Sequence, residues 1–507
     1  MKKNILDYLT DTVKNSPTKT SIIEGEKTIS FEKLDIKAKI LSQILLTKND
    51  SINEPIAVFL PKSIESIISD IAITYSGNLY MNLDVKTPIE RIKNIVDLVK
   101  PKIVITNTQY LKLIEEITLV ENIINIDEVN FDFTFDSDLI LKRLNKIIDT
   151  DPLCIINTSG STGTPKGVVL NHKSFIDFTE WSLDTFNFSE DEIIGSLSPL
   201  VFDIYSFELC LLMAKGSTIL LIPDNLAVFP IKILNLLEVH NVTFLFWVPT
   251  IMVNIANMGL LNNIKLPQLK IVWFAGEVFP TKQFNYWKNN LYHTLFANLY
   301  GPIEITLDCT YFIVNRDIND DEPLPIGIPC RNTDVLILND KNLPIKNGEE
   351  GELCVRGTSL AMGYYNNPEK TAAVFVQNPL NKSYPEIIYR TGDIVSLNNF
   401  NEIIFKGRKD SLVKHLGYRI ELGEIEHIIV NTLKLAKNGC VVYNFSKKEI
   451  VLFYESEEDI PVVNFRKEIS TILPKYMVPT VYIRIEELPR NTNGKIDRLS
   501  LKNKINL

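Results

Sequence analysis

The sequence has few of the features that mark membrane, secreted or zinc-binding proteins. Its six cysteines lie far apart in 507 residues and form no C-x-x-C pair, so neither zinc-ligand spacing nor a disulfide framework is visible. The longest apolar runs, such as 244–248, are far shorter than the ~18 residues of a membrane-spanning helix. Asp7 and Asp11 interrupt the apolar run that a signal peptide needs. We therefore expect a soluble protein in a reducing, cytoplasmic setting, without membrane insertion.

The sequence also lacks an excess of positive charge. It has 53 Lys and Arg against 62 Asp and Glu, for a net charge of −9. Binding to nucleic-acid phosphates requires clustered positive charge, so we expect no nucleic-acid partner. Because 45% of the residues are hydrophobic, the chain can build cores for roughly two to four units of ordinary domain size.

Strand-like and helical patterns alternate through the first 300 residues, which is typical of an α/β fold with parallel strands. Strands are predicted at 55–60, 102–106, 122–126, 217–222, 243–248, 269–274 and 297–300, and helices at 63–75 and 230–240.

The pattern changes after Pro323. Short β-like runs separated by glycines continue to Thr391 and predict a β-rich subdomain. Mixed segments follow, with a helix predicted at 421–433. The predicted fold class is α/β: a large N-terminal domain of α/β subdomains plus a β-rich subdomain, then a small α+β C-terminal domain. We place the boundary at Asp410, which gives domains of 1–409 and 410–507.

A glycine-rich loop lies between two β-like segments and ends in Lys166. Glycine allows close backbone approach, backbone N–H groups can point into one concavity, and hydroxyls and a lysine add donors and charge. The loop is not a P-loop, because Pro165 precedes the lysine and Val168 follows Gly167. A flexible surface loop is the alternative to a phosphate-binding turn. The candidate phosphate-binding positions are Thr158, Ser159, Gly160, Ser161, Thr162 and Gly163.

The order S-G-S-T-G-T-P-K-G resembles the signature loop of the adenylate-forming enzymes. This superfamily contains peptide-synthetase adenylation domains, acyl-CoA synthetases and luciferases. Three further stretches resemble its motifs and extend the resemblance along nearly the whole chain: Asn298–Glu304 (N-x-Y-G-P-T-E), Tyr389–Asp393 (Y-R-T-G-D) and the hinge segment Gly407–Asp410.

The resemblance implies ATP and Mg²⁺ as cofactors and assigns roles by position. Tyr300 would stack on adenine, Glu304 would bind Mg²⁺, and Asp393 would accept hydrogen bonds from the ribose hydroxyls. Arg408 would contact ribose or phosphate.

The resemblance also implies two catalytic lysines and a moving domain. Lys166 would hold the departing phosphates, and Lys495 would bridge the substrate carboxylate and the α-phosphate. The C-terminal domain would be a mobile lid that turns about Asp410.

One position departs from the family motif. Ile303 stands where threonine is usual, so a hydroxyl near the α-phosphate is missing. One neutral hydrogen bond contributes about 0.5–1.5 kcal/mol, so we expect a weakened contact and an active site.

Asp203 follows an aromatic residue, as in the amino-acid-activating branch of the superfamily, where this aspartate pairs with the α-ammonium. A turn aspartate on the surface is the alternative. By alignment, the pocket walls would be Ile204, Phe207, Phe246, Trp273, Ala275, Leu299, Leu307 and Asp308, unless these residues are only core. Large aromatic rings leave a small cavity, which favours alanine, glycine or serine, and Asp308 favours serine.

The resemblance, together with Asp203, predicts a stand-alone adenylation enzyme similar to D-alanine:carrier-protein ligases. It would form an aminoacyl-AMP and transfer the acyl group to the phosphopantetheine thiol of a separate carrier protein, because twelve residues after Lys495 leave no room for a fused carrier. An acyl- or aryl-CoA synthetase is the first alternative. A non-catalytic nucleotide-binding or carrier-docking protein is the second.

Overall fold

The computed structural model describes residues 2–159, 165–346, 348–409, 412–456, 458–490 and 496–505. The helices in these residues are α1 (Leu6–Asn15), α2 (Phe31–Lys48), α3 (Ile64–Tyr75), α4 (Ile89–Val99), α5 (Leu111–Glu115), α6 (Ser137–Leu144), α7 (His172–Phe186), α8 (Asp203–Lys215), α9 (Pro230–Val239), α10 (Pro249–Asn257), α11 (Thr281–Asn290), α12 (Pro368–Val374), α13 (Leu422–His427), α14 (Val462–Ile469) and α15 (Arg498–Ile505).

The strands in the first half of the chain are β1 (Thr20–Glu24), β2 (Lys27–Ser30), β3 (Pro55–Val58), β4 (Leu79–Asn82), β5 (Ile103–Thr106), β6 (Ile123–Asn125), β7 (Pro152–Thr158), β8 (Lys166–Asn171), β9 (Ile193–Ser196), β10 (Thr218–Leu221), β11 (Phe244–Trp247), β12 (Ile271–Phe274) and β13 (Leu295–Tyr300).

The strands in the second half are β14 (Thr310–Ile313), β15 (Ile328–Pro329), β16 (Thr333–Leu338), β17 (Gly351–Gly357), β18 (Gly363–Tyr364), β19 (Phe375–Gln377), β20 (Ile387–Leu397), β21 (Ile403–Arg408), β22 (Leu412–His415), β23 (Tyr418–Glu421), β24 (Asn438–Asn444), β25 (Glu449–Glu455) and β26 (Val481–Arg484).

Two large, mainly parallel sheets organise the α/β part. In the described residues, the first has nine strands in the order β15-β14-β13-β12-β11-β9-β10-β1-β2, parallel from β13 to β1. The second has seven strands in the order β18-β8-β7-β4-β3-β5-β6, with parallel pairs from β7 to β6. Parallel strands need helical crossovers, which cover both faces and make the strands apolar throughout. The predicted α/β class is confirmed.

The predicted β-rich subdomain is an antiparallel sheet. The described strands pair in the order β16-β17-β20-β19, and β21 joins β20. An antiparallel sheet commonly has one buried and one solvated face, so apolar and polar residues alternate along its strands. Here the buried side chains of Leu353, Val355, Tyr389 and Val395 pack in one cluster.

By its internal contacts the chain divides into two compact units. The first comprises 1–85, 100–156 and 168–407, and the second comprises 86–99, 157–167 and 408–507. The second unit contains the hairpin β22–β23 and the sheet β24-β25-β26, around a core that includes Ile420, Ile425 and Phe465. This unit is consistent with the small C-terminal domain expected from the sequence. The division at Asp410, which lies outside the described residues, and the mobility of a lid stay predictions.

The helix predicted at 421–433 is present from Leu422 to Thr432. Its first part is the α-helix α13, and residues 428–432 continue it as a π-helix. The change of helix type coincides with Ile428, Ile429 and Val430, a β-branched run whose side chains crowd the preceding turn, and with Asn431 and Thr432, which are also poor α-helix formers.

A backbone crossing at Gly327 links the nine-stranded sheet to the β-rich sheet. The amide of Ile403 donates to the carbonyl of Gly327 at 2.8 Å, and β15 begins at the next residue. Gly327 has φ +85°, and a Cβ built there would lie 1.9 Å from the carbonyl oxygen of Tyr311. Only glycine fits this crossing.

We expect Gly327→Ala to lower the free energy of unfolding by about 3 kcal/mol or more, because the backbone of β14 must move. Gly25→Ala is the matched control: its φ is +59°, but no atom lies within 4 Å of the added Cβ. It should cost only about 1–2 kcal/mol for the left-handed conformation. Urea unfolding followed by tryptophan fluorescence measures both, and equal losses would contradict the steric argument.

Candidate active site

The candidate site in the first unit lies where parallel strands of the nine-stranded sheet end. In open α/β sheets, ligands bind beyond the carboxyl ends of the strands. Strand β12 ends at Phe274 and is followed by Ala275, and β13 ends at Tyr300 and is followed by Gly301. Asp203 begins α8 shortly after β9 ends.

Tyr300 and Asp393 are brought together. The Tyr300 hydroxyl donates to Oδ2 of Asp393, and the exposed fractions of these residues are 7% and 4%. The amide of Asp393 donates to Oγ1 of Thr391 at 2.9 Å, next to Gly392, whose φ of +73° is irregular for a strand. The two residues predicted to bind adenine and ribose are therefore neighbours, although 93 positions separate them.

Glu304 lies in a short 3-10 turn after β13 and is fully buried. Its Oε1 accepts a hydrogen bond of 2.8 Å from the hydroxyl of Tyr364 on β18. No role was predicted for Tyr364 from the sequence. Ile303, the departure from the family motif, is half-buried and packs against the main hydrophobic cluster.

The turn after β13 is strained. Thr306 and Leu307 have φ of +53° and +65°, a conformation that costs roughly 1–3 kcal/mol for each such residue. A Cβ on Gly301 would lie 2.1 Å from the carbonyl oxygen of Leu307, so the turn also requires this glycine. In this conformation Leu307 packs in the main hydrophobic cluster, and the adjacent Asp308 is only 3% exposed.

The residues predicted to line the amino-acid pocket share one hydrophobic cluster. Its members include Ile204, Phe207, Phe246, Trp273, Ala275, Leu299 and Leu307.

Trp273 lies at the centre of the aromatic part of this cluster. It stacks on Phe207 with ring centroids 5.0 Å apart and meets the edge of Phe246 at 5.4 Å. Further aromatic residues that were not predicted to line the pocket also contact it, among them Phe178, Trp181, Phe186, Phe188 and Phe244. The helical i, i+3 spacing of Phe178 and Trp181 indicated a buried face, but the sequence could not identify the ring that this face meets.

Asp203 is half-buried in the first turn of α8. Its Oδ1 accepts from the amide of Ile204 at 3.0 Å. A carboxylate at a helix N-terminus interacts favourably with the helix dipole. Asp203 directly precedes Ile204, and Phe207 follows one helical turn later on the same side of α8.

In the second unit, the two described flanks of the glycine-rich loop meet the strand β23. Oγ of Ser159 donates to the carbonyl of Arg419 at 2.7 Å and accepts from the amide of Glu421 at 3.0 Å. Nζ of Lys166 forms an ion pair of 2.5 Å with Oε1 of Glu421. The side chains of both ionic partners are about 12–13% exposed. The sequence did not point to Glu421 as the partner of this lysine.

The other predicted positions of the loop and the lid are only partly described. Thr158 ends β7 and is 7% exposed, and Arg408 ends β21. Six predicted site residues lie outside the described residues: Gly160, Ser161, Thr162, Gly163, Asp410 and Lys495.

The described residues contain no group of three or more His, Cys, Asp or Glu side chains that could hold a metal ion. They also contain no helix that is both long enough and apolar enough to span a bilayer.

A family model described as "AMP-binding enzyme" matches residues 9–365. The chain belongs to this family. Among curated relatives of this AMP-binding enzyme, zwittermicin A synthase ZmaJ of Bacillus cereus is 30% identical over 96% of the chain and 92% of the relative. Gramicidin S synthase 2 of Brevibacillus brevis is also 30% identical over 98% of the chain, but the match spans only 11% of that relative.

Solved structures share the fold along the whole chain. The Vibrio cholerae adenylation domain AlmE, solved with glycyl-adenosine-5'-phosphate, has a TM-score of 0.86 at 21% identity, covering 100% of this chain and 98% of AlmE. PA1221, a peptide-synthetase protein with adenylation and PCP domains, has a TM-score of 0.83 at 21% identity, covering 99% and 84%. The AMP-binding enzyme is an ATP-dependent, AMP-forming ligase of the peptide-synthetase adenylation type. The resemblance stated from the sequence motifs is confirmed.

Within the second unit, a buried ion pair joins α4 to the segment after β23. The Arg91 guanidinium contacts the carboxylate of Glu424, and the two residues are 7% and 0% exposed. Removing one partner of a buried pair leaves an uncompensated charge in a low-dielectric site.

We expect Arg91→Met to cost about 3–5 kcal/mol of stability in the second unit, and the double variant Arg91→Met/Glu424→Leu to recover most of this loss. Arg356→Met is the control, because the ion pairs of this half-exposed arginine with Asp334 and Glu386 lie at the surface and contribute about 0–1 kcal/mol each. Hydrogen exchange of peptides from 86–99 and 412–456 reports the change locally. A double variant as unstable as Arg91→Met would contradict the pairing argument.

Proposed function

We propose that this enzyme activates a small α-amino acid. The substrate carboxylate attacks the α-phosphorus of ATP, the bond to the bridging oxygen breaks, and pyrophosphate leaves with the electron pair. The thiol of a phosphopantetheine arm on a separate carrier protein then attacks the carbonyl carbon of the aminoacyl-AMP, loses its proton and releases AMP. The observation that carries this proposal is Asp203, a carboxylate at the start of α8 beside a closed apolar cluster.

Asp203 supports an amino acid over an acid without an amine. An ammonium group entering an apolar site needs a charged partner, because an isolated charge is costly to bury. Asp203, Ile204 and Phe207 fall within about 100° of one another around α8. On this face of the helix, Asp203 would pair with the α-ammonium, and Ile204 and Phe207 would contact the substrate side chain.

The aromatic cluster supports a small side chain. Phe207, Phe246 and Trp273 are each fully buried and occupy space that a larger substrate would need. Asp308 is also buried and would accept a hydrogen bond from a substrate hydroxyl, which favours serine. AlmE, the structural neighbour, binds a glycyl adenylate, which is also a small aminoacyl-AMP.

On the nucleotide side, Tyr300 and Asp393 are the proposed adenine and ribose contacts. The hydroxyl of Tyr300 orients the carboxylate of Asp393, which as an acceptor-only group suits two ribose hydroxyls. Glu304 is a single buried carboxylate, and this fits Mg²⁺, because protein sites commonly supply one or two carboxylates while substrate phosphates and water complete the shell. Mg²⁺ bound there would neutralise phosphate charge.

The phosphate loop contributes charge stabilisation in this proposal. Lys166 would hold the departing pyrophosphate, and Arg408 a ribose or phosphate oxygen. Because Lys166 pairs with Glu421 in this structure, ATP phosphates would have to displace that carboxylate. Lys495 would hold the attacking carboxylate against the α-phosphate in the first step, and rotation about Asp410 would admit the thiol for the second.

The proposed acyl acceptor is a carrier protein. PA1221, which shares the fold, joins an adenylation domain to a PCP domain.

A pyrophosphate-exchange panel tests the proposed substrate class. We expect ATP-dependent exchange with at least one of glycine, L- or D-alanine and L- or D-serine, and background exchange with acetate, benzoate and octanoate. Phenylalanine should exchange poorly because the aromatic cluster fills the space its ring needs. Stronger exchange with benzoate or octanoate would favour a CoA synthetase, and ATP binding without exchange for any acid would favour a non-catalytic protein.

A lysine variant should affect the rates of the two proposed steps differently. Lys495→Ala should slow adenylation by about 10²-fold, because it removes a charge that acts on the reacting phosphorus, and should slow transfer from preformed aminoacyl-AMP far less. Lys475→Ala, an exposed lysine of the same unit, is the control and should change neither step. Equal losses in both steps would contradict the assignment of Lys495 to the first step.

A further inference from the structure

Helix α8 carries three proposed pocket residues but is buried on all sides. Every residue from Ile204 to Met213 is buried. An amphipathic helix is held in one rotation about its axis by its apolar stripe, but a helix that is apolar all round has no such stripe. Another interaction has to fix which side chains of α8 face the pocket.

Three polar side chains on α8 supply that interaction. The Tyr205 hydroxyl donates to Oδ2 of Asp70 on α3 at 2.7 Å. The Tyr80 hydroxyl donates to Oγ of Ser206 at 3.1 Å.

The third bond joins α8 to the strand before it. Oγ of Ser196 at the end of β9 donates to Oε2 of Glu208 at 2.5 Å. Buried polar groups are costly unless they are paired, so only one rotation of the helix satisfies all three bonds.

The start of α8 has no side-chain cap of its own. Its N-cap residue is Phe202, whose side chain makes no capping hydrogen bond. The loop before α8 is instead held by hydrogen bonds from the side chains of Lys62 and Asn82. Nζ of Lys62 donates to the carbonyls of Ser196 and Ser198 at 2.9 and 3.2 Å, and the Asn82 amide lies 3.5 Å from the carbonyl of Leu200.

Asp70 joins these two sets of contacts. It is fully buried, and its Oδ2 accepts from Nδ2 of Asn82 at 3.0 Å as well as from Tyr205. Its Oδ1 has no partner in the part of the chain that the structure describes. Burial raises the pKa of Asp70 to about 7, and the hydrogen bonds from Asn82 and Tyr205 oppose this rise.

The anchor Tyr205 lies on the opposite face of the helix from Asp203 and Phe207. At about 100° per residue, Tyr205 is about 200° from Asp203, whereas Phe207 is within about 40° of it. A rotation of α8 that breaks the bond to Asp70 would therefore turn Asp203 away from the pocket.

We propose that Asp70 is a positioning residue for amino-acid recognition: its hydrogen bond to Tyr205 sets the rotation of α8 that presents Asp203 to the substrate amine. This inference rests on the proposed function, in which Asp203 pairs with the α-ammonium.

The test compares substrates with and without an amine. Pyrophosphate exchange is measured for glycine, L-alanine and L-serine and for their desamino acids acetate, propanoate and 3-hydroxypropanoate. The readout is the ratio of kcat/KM between the best amino acid and its desamino partner. A loss of general stability would lower both values and leave the ratio unchanged.

Tyr205→Phe and Asp70→Leu should each lower this ratio about tenfold, with KM for ATP within twofold of the parent enzyme. Asp70→Asn keeps an acceptor for the Tyr205 hydroxyl, so this variant should retain most of the parent enzyme's ratio. Tyr75→Phe is the matched control, because Tyr75 is another buried tyrosine bonded to a buried carboxylate, Asp35 at 2.6 Å, away from α8. Its ratio should not change.

The outcomes separate this inference from the proposed function. If Asp203→Asn abolishes the discrimination while Tyr205→Phe leaves the ratio within twofold, or if Tyr75→Phe lowers it equally, the role of Asp70 is wrong and the proposed function stands. If Asp203→Asn leaves the ratio unchanged, or if no amino acid supports exchange, the proposed function fails and the inference fails with it. Should Asp70→Leu not fold, Tyr205→Phe and Asp70→Asn decide.

Discussion

Hydrogen bonds between buried carboxylates and hydroxyl groups organise the first unit around its candidate site. A buried carboxylate is costly unless it is hydrogen-bonded, and in each of these groups one oxygen accepts a hydrogen bond from a hydroxyl. Three of the four pairs connect elements distant in sequence, so the same bonds that hold the fold also orient acidic groups near the strand ends. They are Tyr300–Asp393, Tyr364–Glu304, Tyr205–Asp70 and Ser196–Glu208.

In the second unit, buried carboxylates are paired with lysine and arginine side chains instead of hydroxyl groups. Glu421 pairs with Lys166 beside the glycine-rich loop, and Glu424 pairs with Arg91 of α4. Buried ion pairs gain little net stability, because desolvation offsets their attraction, but they specify a partner strictly. In the proposed reaction, ATP phosphates would have to displace Glu421 from Lys166.

The fold class and the family were predictable because their signals are local. Alternation of apolar runs with glycine-rich turns predicted the parallel strands, and short motifs such as Tyr389–Asp393 identified the family. The helix predicted at 421–433 is present at 422–432, but the pattern could not show that the helix would change from α to π at a β-branched run. The contacts of Asp70 with Tyr205, and of Glu421 with Lys166, join residues 135 and 255 positions apart. No role was predicted from the sequence for Asp70 or for Glu421.

The central claim is that an amino-acid carboxylate attacks the α-phosphorus of ATP. An amino acid labelled with ¹⁸O in its carboxylate tests this directly, with hydroxylamine present to cleave the mixed anhydride at the carbonyl carbon. Mass spectrometry should find one ¹⁸O in each AMP and none in pyrophosphate, because the bridging oxygen stays with phosphorus. AMP without label, or label in pyrophosphate, would contradict the proposed reaction.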